Sequence, residues 1–139
     1  MRRIVLLLLT TLLALFSGWT ARAENLDFSE IYSGYSAEGL TFSDKTQSLA
    51  GGEVTISGYM APTIRFFVLT EVPMSVCPFC SSDADWPDNI IVVKVDDPVT
   101  ALPYDSPITV SGTLEIGSET DPETGFVSQL RIHADSISG

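Results

Sequence analysis

Basic residues are scarce in this chain: seven Lys and Arg stand against 18 Asp and Glu, for a net charge of −11. Affinity for phosphate backbones comes from Lys and Arg, so the shortage excludes nucleic acid as a partner and disfavours anionic membrane surfaces. A cation, or a basic patch on another protein, suits the surplus of acid better, although such acidity also serves solubility alone. Histidine occurs once, at His133, which leaves a general-base role little support. Cysteine occurs only at Cys77 and Cys80, so no second pair exists to complete a four-thiolate zinc site. The chain contains no H-E-x-x-H, no phosphate-binding glycine loop and no serine-nucleophile motif. Its longest apolar run, Ile4 to Phe16, has 13 residues, short of the roughly 20 that a membrane-spanning helix needs.

That run has the layout of a secretory signal peptide instead. Arg2 and Arg3 precede it, and Ala21-Arg22-Ala23 forms a small-x-small cleavage site. Cleavage between Ala23 and Glu24 is therefore expected, with export to the bacterial periplasm and no membrane anchor afterwards. No cysteine lies near the site to carry a lipid. Processing removes Arg2, Arg3 and Arg22 and no acid, leaving four cations against 18 acids, a net charge of −14 on 116 residues. That length forms one domain able to bury its own core.

The mature chain reads as an N-terminal extension over 24–48 followed by a β domain over 49–139. In the extension, Leu26 to Tyr32 is a candidate short helix with Leu26, Phe28 and Ile31 on its apolar face, packed over the end of a sheet; Gly34 and Gly39 interrupt anything longer. Five strands follow, at Glu53 to Met60, Ile64 to Val72, Asn89 to Val95, Pro107 to Ile116 and Phe126 to Ile137, each alternating or β-branched and bounded by turn residues. Asp121-Pro122-Glu123-Thr124-Gly125 is the hairpin connection before the last strand. Val54-Thr55-Ile56-Ser57-Gly58 is echoed by Ile108-Thr109-Val110-Ser111-Gly112. Both strands arrive at a glycine, the mark of a bulge, a bend or a close backbone approach. Five strands with two such corners predict an all-β fold, a small five-stranded OB-like barrel with a short N-terminal helical segment. The link Asp97 to Ser106 carries Pro98 and Pro103 and is too broken for a long helix, so the barrel is an abbreviated one. A β-sandwich is the alternative, but it ordinarily needs about seven strands. His133 falls on the outward face of the last strand with Val127, Gln129, Arg131 and Asp135, and Glu119 to Glu123 reads as a solvated acidic turn.

Phe42-Ser43-Asp44-Lys45, Gly58-Tyr59-Met60-Ala61-Pro62 and Phe67-Val68-Leu69, followed by a cysteine-bearing loop, resemble a family of exported bacterial proteins of unknown function. The match spans about 90 residues, most of the mature chain. The resemblance implies a single OB-like domain in the periplasm, in some members associated with ABC-type permease systems. It implies no reaction and no site residues.

The longest interval between strands, Pro73 to Asp88, carries the residues of chemical interest. Cys77-Pro78-Phe79-Cys80 admits a disulfide, which an oxidising compartment favours, though closing so short a ring contributes only about 2 kcal/mol. It is also similar to the Cys-Pro-aromatic-Cys of glutaredoxins. There, however, a long helix follows and its N-terminus favours the thiolate; here Ser81 to Pro87 cannot form one, and Asp83 and Asp85 disfavour a thiolate. Those same carboxylates suit a metal: Cys77 and Cys80 with Asp83 and Asp85 make a mixed zinc site, and Met74 with the two cysteines a soft site for Cu(I). Phe79 and Trp86 are candidate anchors for a protein partner. The function these features point to is a non-enzymatic periplasmic accessory or binding protein, in an envelope transport system, that meets its partner through this loop. A zinc- or copper-binding protein and a thiol-disulfide redox protein are the alternatives.

Overall fold

The alternation of Glu53 to Ala61 and Pro107 to Thr120 resolves into two long paired strands, around which the remaining strands close. The structure, a computed structural model, describes residues 22–61, 67–75, 87–97, 99 and 102–139. In chain order the elements are β1 (Glu24–Asn25), a 3-10 turn (Phe28–Glu30), β2 (Tyr32–Ser36), β3 (Gly39–Phe42), α1 (Asp44–Leu49), β4 (Glu53–Ala61), β5 (Phe67–Thr70), β6 (Ile90–Lys94), β7 (Pro107–Thr120) and β8 (Val127–Ser138). The all-β class is as the alternation predicts, and β4 to β8 are the five strands read from the sequence. Among the described residues no helix lies between β6 and β7.

The main sheet has the order β1-β4-β5-β6-β8-β7, and β7 pairs back onto β4. β4 runs antiparallel to β5, β5 to β6 and β8 to β7, while β6 and β8 are parallel. The antiparallel β4–β7 ladder, from Glu53↔Thr113 to Tyr59↔Pro107, joins the two echoed segments and returns the pairing to where it began. Apolar side chains from every strand of this ring point inward. Val54 and Ile56, Phe67 and Leu69, Ile91 and Val93, Ile108, Val110 and Leu114, and Leu130 and Ile132 form one buried cluster.

Both predicted glycine corners are points where backbones come too close for any side chain. A Cβ on Gly58 would lie 2.6 Å from the Thr70 carbonyl oxygen, and one on Gly112 only 2.0 Å from the His133 carbonyl oxygen. At Gly112 the β7–β8 register also slips, Ser111 facing Ser136 and Gly112 facing Ala134, so Asp135 is the extra residue of a bulge.

The N-terminal extension differs from its expected form. Leu26, Phe28 and Ile31 are buried against the barrel interior as anticipated, but the helix over 26–32 shrinks to the single turn at Phe28–Glu30. Asp27 caps that turn: its carboxylate accepts from Ser29 N–H, while Glu30 accepts from the Asp27 N–H. Beyond it, Gly34 and Gly39 do not merely interrupt a helix; they belong to the β2–β3 hairpin. α1 was not anticipated either. Ser43 is its N-cap, accepting from Thr46 N–H, and buried Thr46 donates its hydroxyl to the Ile31 carbonyl at 2.9 Å. The Thr46 hydroxyl thus ties α1 to the segment whose Leu26, Phe28 and Ile31 join the core.

Candidate functional site

The β5–β6 connection is held firmly at both ends. Thr70 faces Ile90 in the ladder, and one step further Glu71 N–H donates to the Asn89 carbonyl at 3.1 Å. The fully buried Thr70 hydroxyl lies 2.7 Å from the Val72 carbonyl oxygen and 3.2 Å from that of Tyr59, stitching the departing chain back to β4. β5 and β6 are buried on both faces. Their outward residues Val68 and Ile90 form a second apolar cluster with Ala61, and Met74 packs on it, half-buried. The Met74 side chain thus spends its apolar surface on the sheet at the entrance to the connection.

Cys77, Phe79, Cys80, Asp83, Asp85 and Trp86 lie outside the described residues, as does the apolar run Ile4 to Phe16. Ala23 is half-buried, and exposed Glu24 opens β1, pairing in parallel with Val54. Asp88 is exposed. Among the described residues no group of three or more His, Cys, Asp or Glu side chains is placed to hold a metal ion, and no helix is long and apolar enough to cross a membrane.

A charged constellation on β6, β7 and β8 escaped the period-two reading. Arg131 keeps the outward face with His133, opposite Leu130 and Ile132, yet its side chain is only 5% exposed. A second bulge helps to cover it: between Ile116 and Glu119 two residues of β7, Gly117 and Ser118, oppose the single Gln129 of β8. The bulged strand presents the Gly117 carbonyl, and Arg131 Nη1 donates to it at 2.8 Å and to the Ser128 carbonyl and hydroxyl at 3.1 Å. Arg131 Nε reaches Glu115 at 3.3 Å and lies 3.4 Å from Glu119. Lys94 pairs with Glu119 as well, and His133 Nε2 lies 3.1 Å from Glu115. Glu119 is therefore not part of a simply solvated turn. His133 itself is half-exposed, as its strand position predicts. The Asp121–Gly125 turn takes its expected form, with the Asp121 carboxylate accepting from the backbone of Glu123 and Thr124.

The charges make a pH prediction. Burial alone would raise the Glu115 carboxyl, but hydrogen bonding and attraction from His133 and Arg131 outweigh it and hold the group below its usual value. Glu119 is lowered chiefly by the hydrogen bond from Lys94. A depressed folded-state value means stabilisation that is complete above the ordinary glutamate pKa and lost as pH falls through the folded one. The urea midpoint is thus expected to hold from pH 7 to about pH 5 and to fall below about pH 4.5. A Glu115→Gln/Glu119→Gln variant should start lower and fall less; an unchanged acid limb would discount the constellation. Part of the slope survives in that variant, because Asp27, Glu30 and Asp121 are lowered too, first by backbone or side-chain hydrogen bonds from Ser29, Lys45 and Thr124 respectively.

No family model and no curated protein matches the chain. Among solved structures it is similar to a DUF3299 family protein (PA4066) from Pseudomonas aeruginosa PAO1. The likeness covers 84% of this chain and 95% of that one, with a TM-score of 0.59 and 16% sequence identity. At that identity the shared property is the fold. The neighbour is itself described only by a family of unknown function, in keeping with the resemblance to an uncharacterised bacterial family.

Proposed function

We propose that this chain is a non-enzymatic accessory or binding protein of the bacterial periplasm, an OB-like barrel that meets a protein partner of the cell envelope through its Cys77–Cys80 loop. The observation that carries the reading is the mounting of the β5–β6 connection: both of its ends are hydrogen-bonded to a sheet buried on two faces. Long connections on rigid scaffolds are where recognition residues concentrate. The return of β7 onto β4 and the parallel β6–β8 pairing support the OB-like topology. Phe79 and Trp86 are the anchors of the contact, and a Cys77–Cys80 disulfide would hold Phe79 in place. An envelope transport system is the setting.

Thiol count and metal content, measured on one preparation of residues 24–139 purified from the periplasm without added metal, test this. Two blocked thiols and no metal are expected, with a reduction potential below about −300 mV and loss of partner capture in Phe79→Ala or Trp86→Ala. One equivalent of zinc or copper, lost in Cys77→Ser/Cys80→Ser, would replace the proposal with a metal-binding protein. A higher potential, with altered thiol status of other envelope proteins in the same variant, would make it a thiol-disulfide protein.

A further inference from the structure

The β2–β3 hairpin builds a cleft remote in sequence from the cysteine loop. Tyr32 and Tyr35 are three residues apart and would face opposite ways along a regular strand. The register shifts between them: Tyr32 faces Phe42, Gly34 faces Thr41 and Tyr35 faces Leu40, so Ser33 is the extra residue. The bulge returns Tyr35 to the face of Tyr32, and both line one cleft with Leu40 and Phe42. Tyr32 and Phe42 stack with centroids 5.1 Å apart and planes 22° from parallel, while Tyr35 is 76% exposed. Glu38 stands at the turn, its carboxylate accepting from the Ser36 hydroxyl at 2.9 Å, and Gln129 of β8 forms the far side. The cleft measures about 470 Å³, within the range of small-molecule sites.

We infer that this cleft is a binding site for a small organic cation of the methylated-ammonium class. Aromatic faces attract such cations through their quadrupoles, and a low hydration cost lets the cation leave water for the rings. Among the described residues Glu38 is the only charged one in the lining, and no Lys, Arg or His stands there. An anion finds no partner there, while the strongly acidic chain draws cations towards it. A bare metal ion gains little, because the cleft offers one carboxylate and no cluster of hard donors. This site is independent of the cysteine loop and of the function proposed for it.

Tetramethylammonium chloride, titrated into isotope-labelled residues 24–139 at constant ionic strength and followed by amide chemical shifts, tests the assignment. The expected result is a saturable response confined to residues 32–42 and Gln129, with half-saturation below about 10 mM. Tyr35→Ala should weaken binding about fivefold or more, and Glu38→Gln should weaken it in the same direction. Tyr35 is largely exposed, so the alanine variant keeps its fold, which its own spectrum verifies. Three results would overturn the inference: no saturation, an equal response to sodium chloride, or undiminished binding in Tyr35→Ala. A response at these residues to glucose but not to tetramethylammonium would reassign the cleft to neutral sugars.

Discussion

Replacing Arg131 by methionine should destabilise the fold by about 3–5 kcal/mol. The side chain is 5% exposed and does three things at once. It donates to the Gly117 carbonyl on the bulged stretch of β7, it donates to the carbonyl and hydroxyl of Ser128, and it stands between the carboxylates of Glu115 and Glu119. Methionine fills much of the volume but offers no donor. The carbonyls then lose a partner where water is scarce, at about 1–3 kcal/mol for each unsatisfied group. Two carboxylates also lose the charge that separates them, leaving Lys94 and His133 to offset them from outside. For a domain whose total stability is about 5–15 kcal/mol, this is a large fraction. Urea unfolding should show a lower midpoint with an unchanged slope. Arg131→Lys should recover only part of the loss, because one ammonium cannot serve the bulge and both carboxylates as a planar fork does. A loss below about 1 kcal/mol in the methionine variant would mean that the ion pairs behave as exposed ones, which contribute little.

Gly112→Ala is the second change expected to act strongly, and by a different route. The added carbon would sit 2.0 Å from the His133 carbonyl oxygen and 2.8 Å from the Ala134 Cα. Both obstacles are backbone, so no rotamer change relieves them. The β7–β8 ladder must part beside the Asp135 bulge, and overpacking of this kind reaches about 3 kcal/mol or more. The melting temperature should fall by more than about 10 °C, and amide exchange should quicken first along residues 109–116 and 130–138. Gly117 provides the contrast. Its φ is +103°, yet a Cβ there meets nothing within 4 Å, so Gly117→Ala costs backbone strain alone, about 1–2 kcal/mol. Equal effects at the two positions would argue against the steric account.

The barrel was legible because its strands obey simple periodicities. Val54 and Ile56 and their counterparts Ile108 and Val110 alternate cleanly, and each series runs into a glycine that only a crowded crossing requires. The apolar triplet Leu26, Phe28 and Ile31 announced its burial, although not its form: a capping box closes one 3-10 turn there, and the chain then turns into β2. The β2–β3 hairpin was illegible because the bulge at Ser33 breaks alternation, and its glycines read equally well as interruptions. α1 left a signal in Ser43-Asp44, a capping residue followed by an acid, but six residues are too few to show a helical period. Arg131 keeps the face that period two gives it, but its burial there left no signal in the sequence. Alternation gives the face alone; the carbonyl of the extra stretch on β7 and the carboxylates of Glu115 and Glu119 are what cover the guanidinium there. Of the candidate site, the mounting of the β5–β6 connection and the packing of Met74 are visible, while the cysteines and their acidic and aromatic neighbours lie outside the described residues.

The pairing of β4 with β7 has a kinetic meaning. Val54 meets Gly112, and Val93 meets Ile132, across long stretches of intervening chain. Such contacts require the loop between them to close before they reward it, and domains dominated by them fold in milliseconds to seconds rather than microseconds. β6 gains its second neighbour only when β8 is present, so no leading portion of the chain contains the finished ring. A polypeptide emerging from its N-terminus therefore stays open until its last strand arrives.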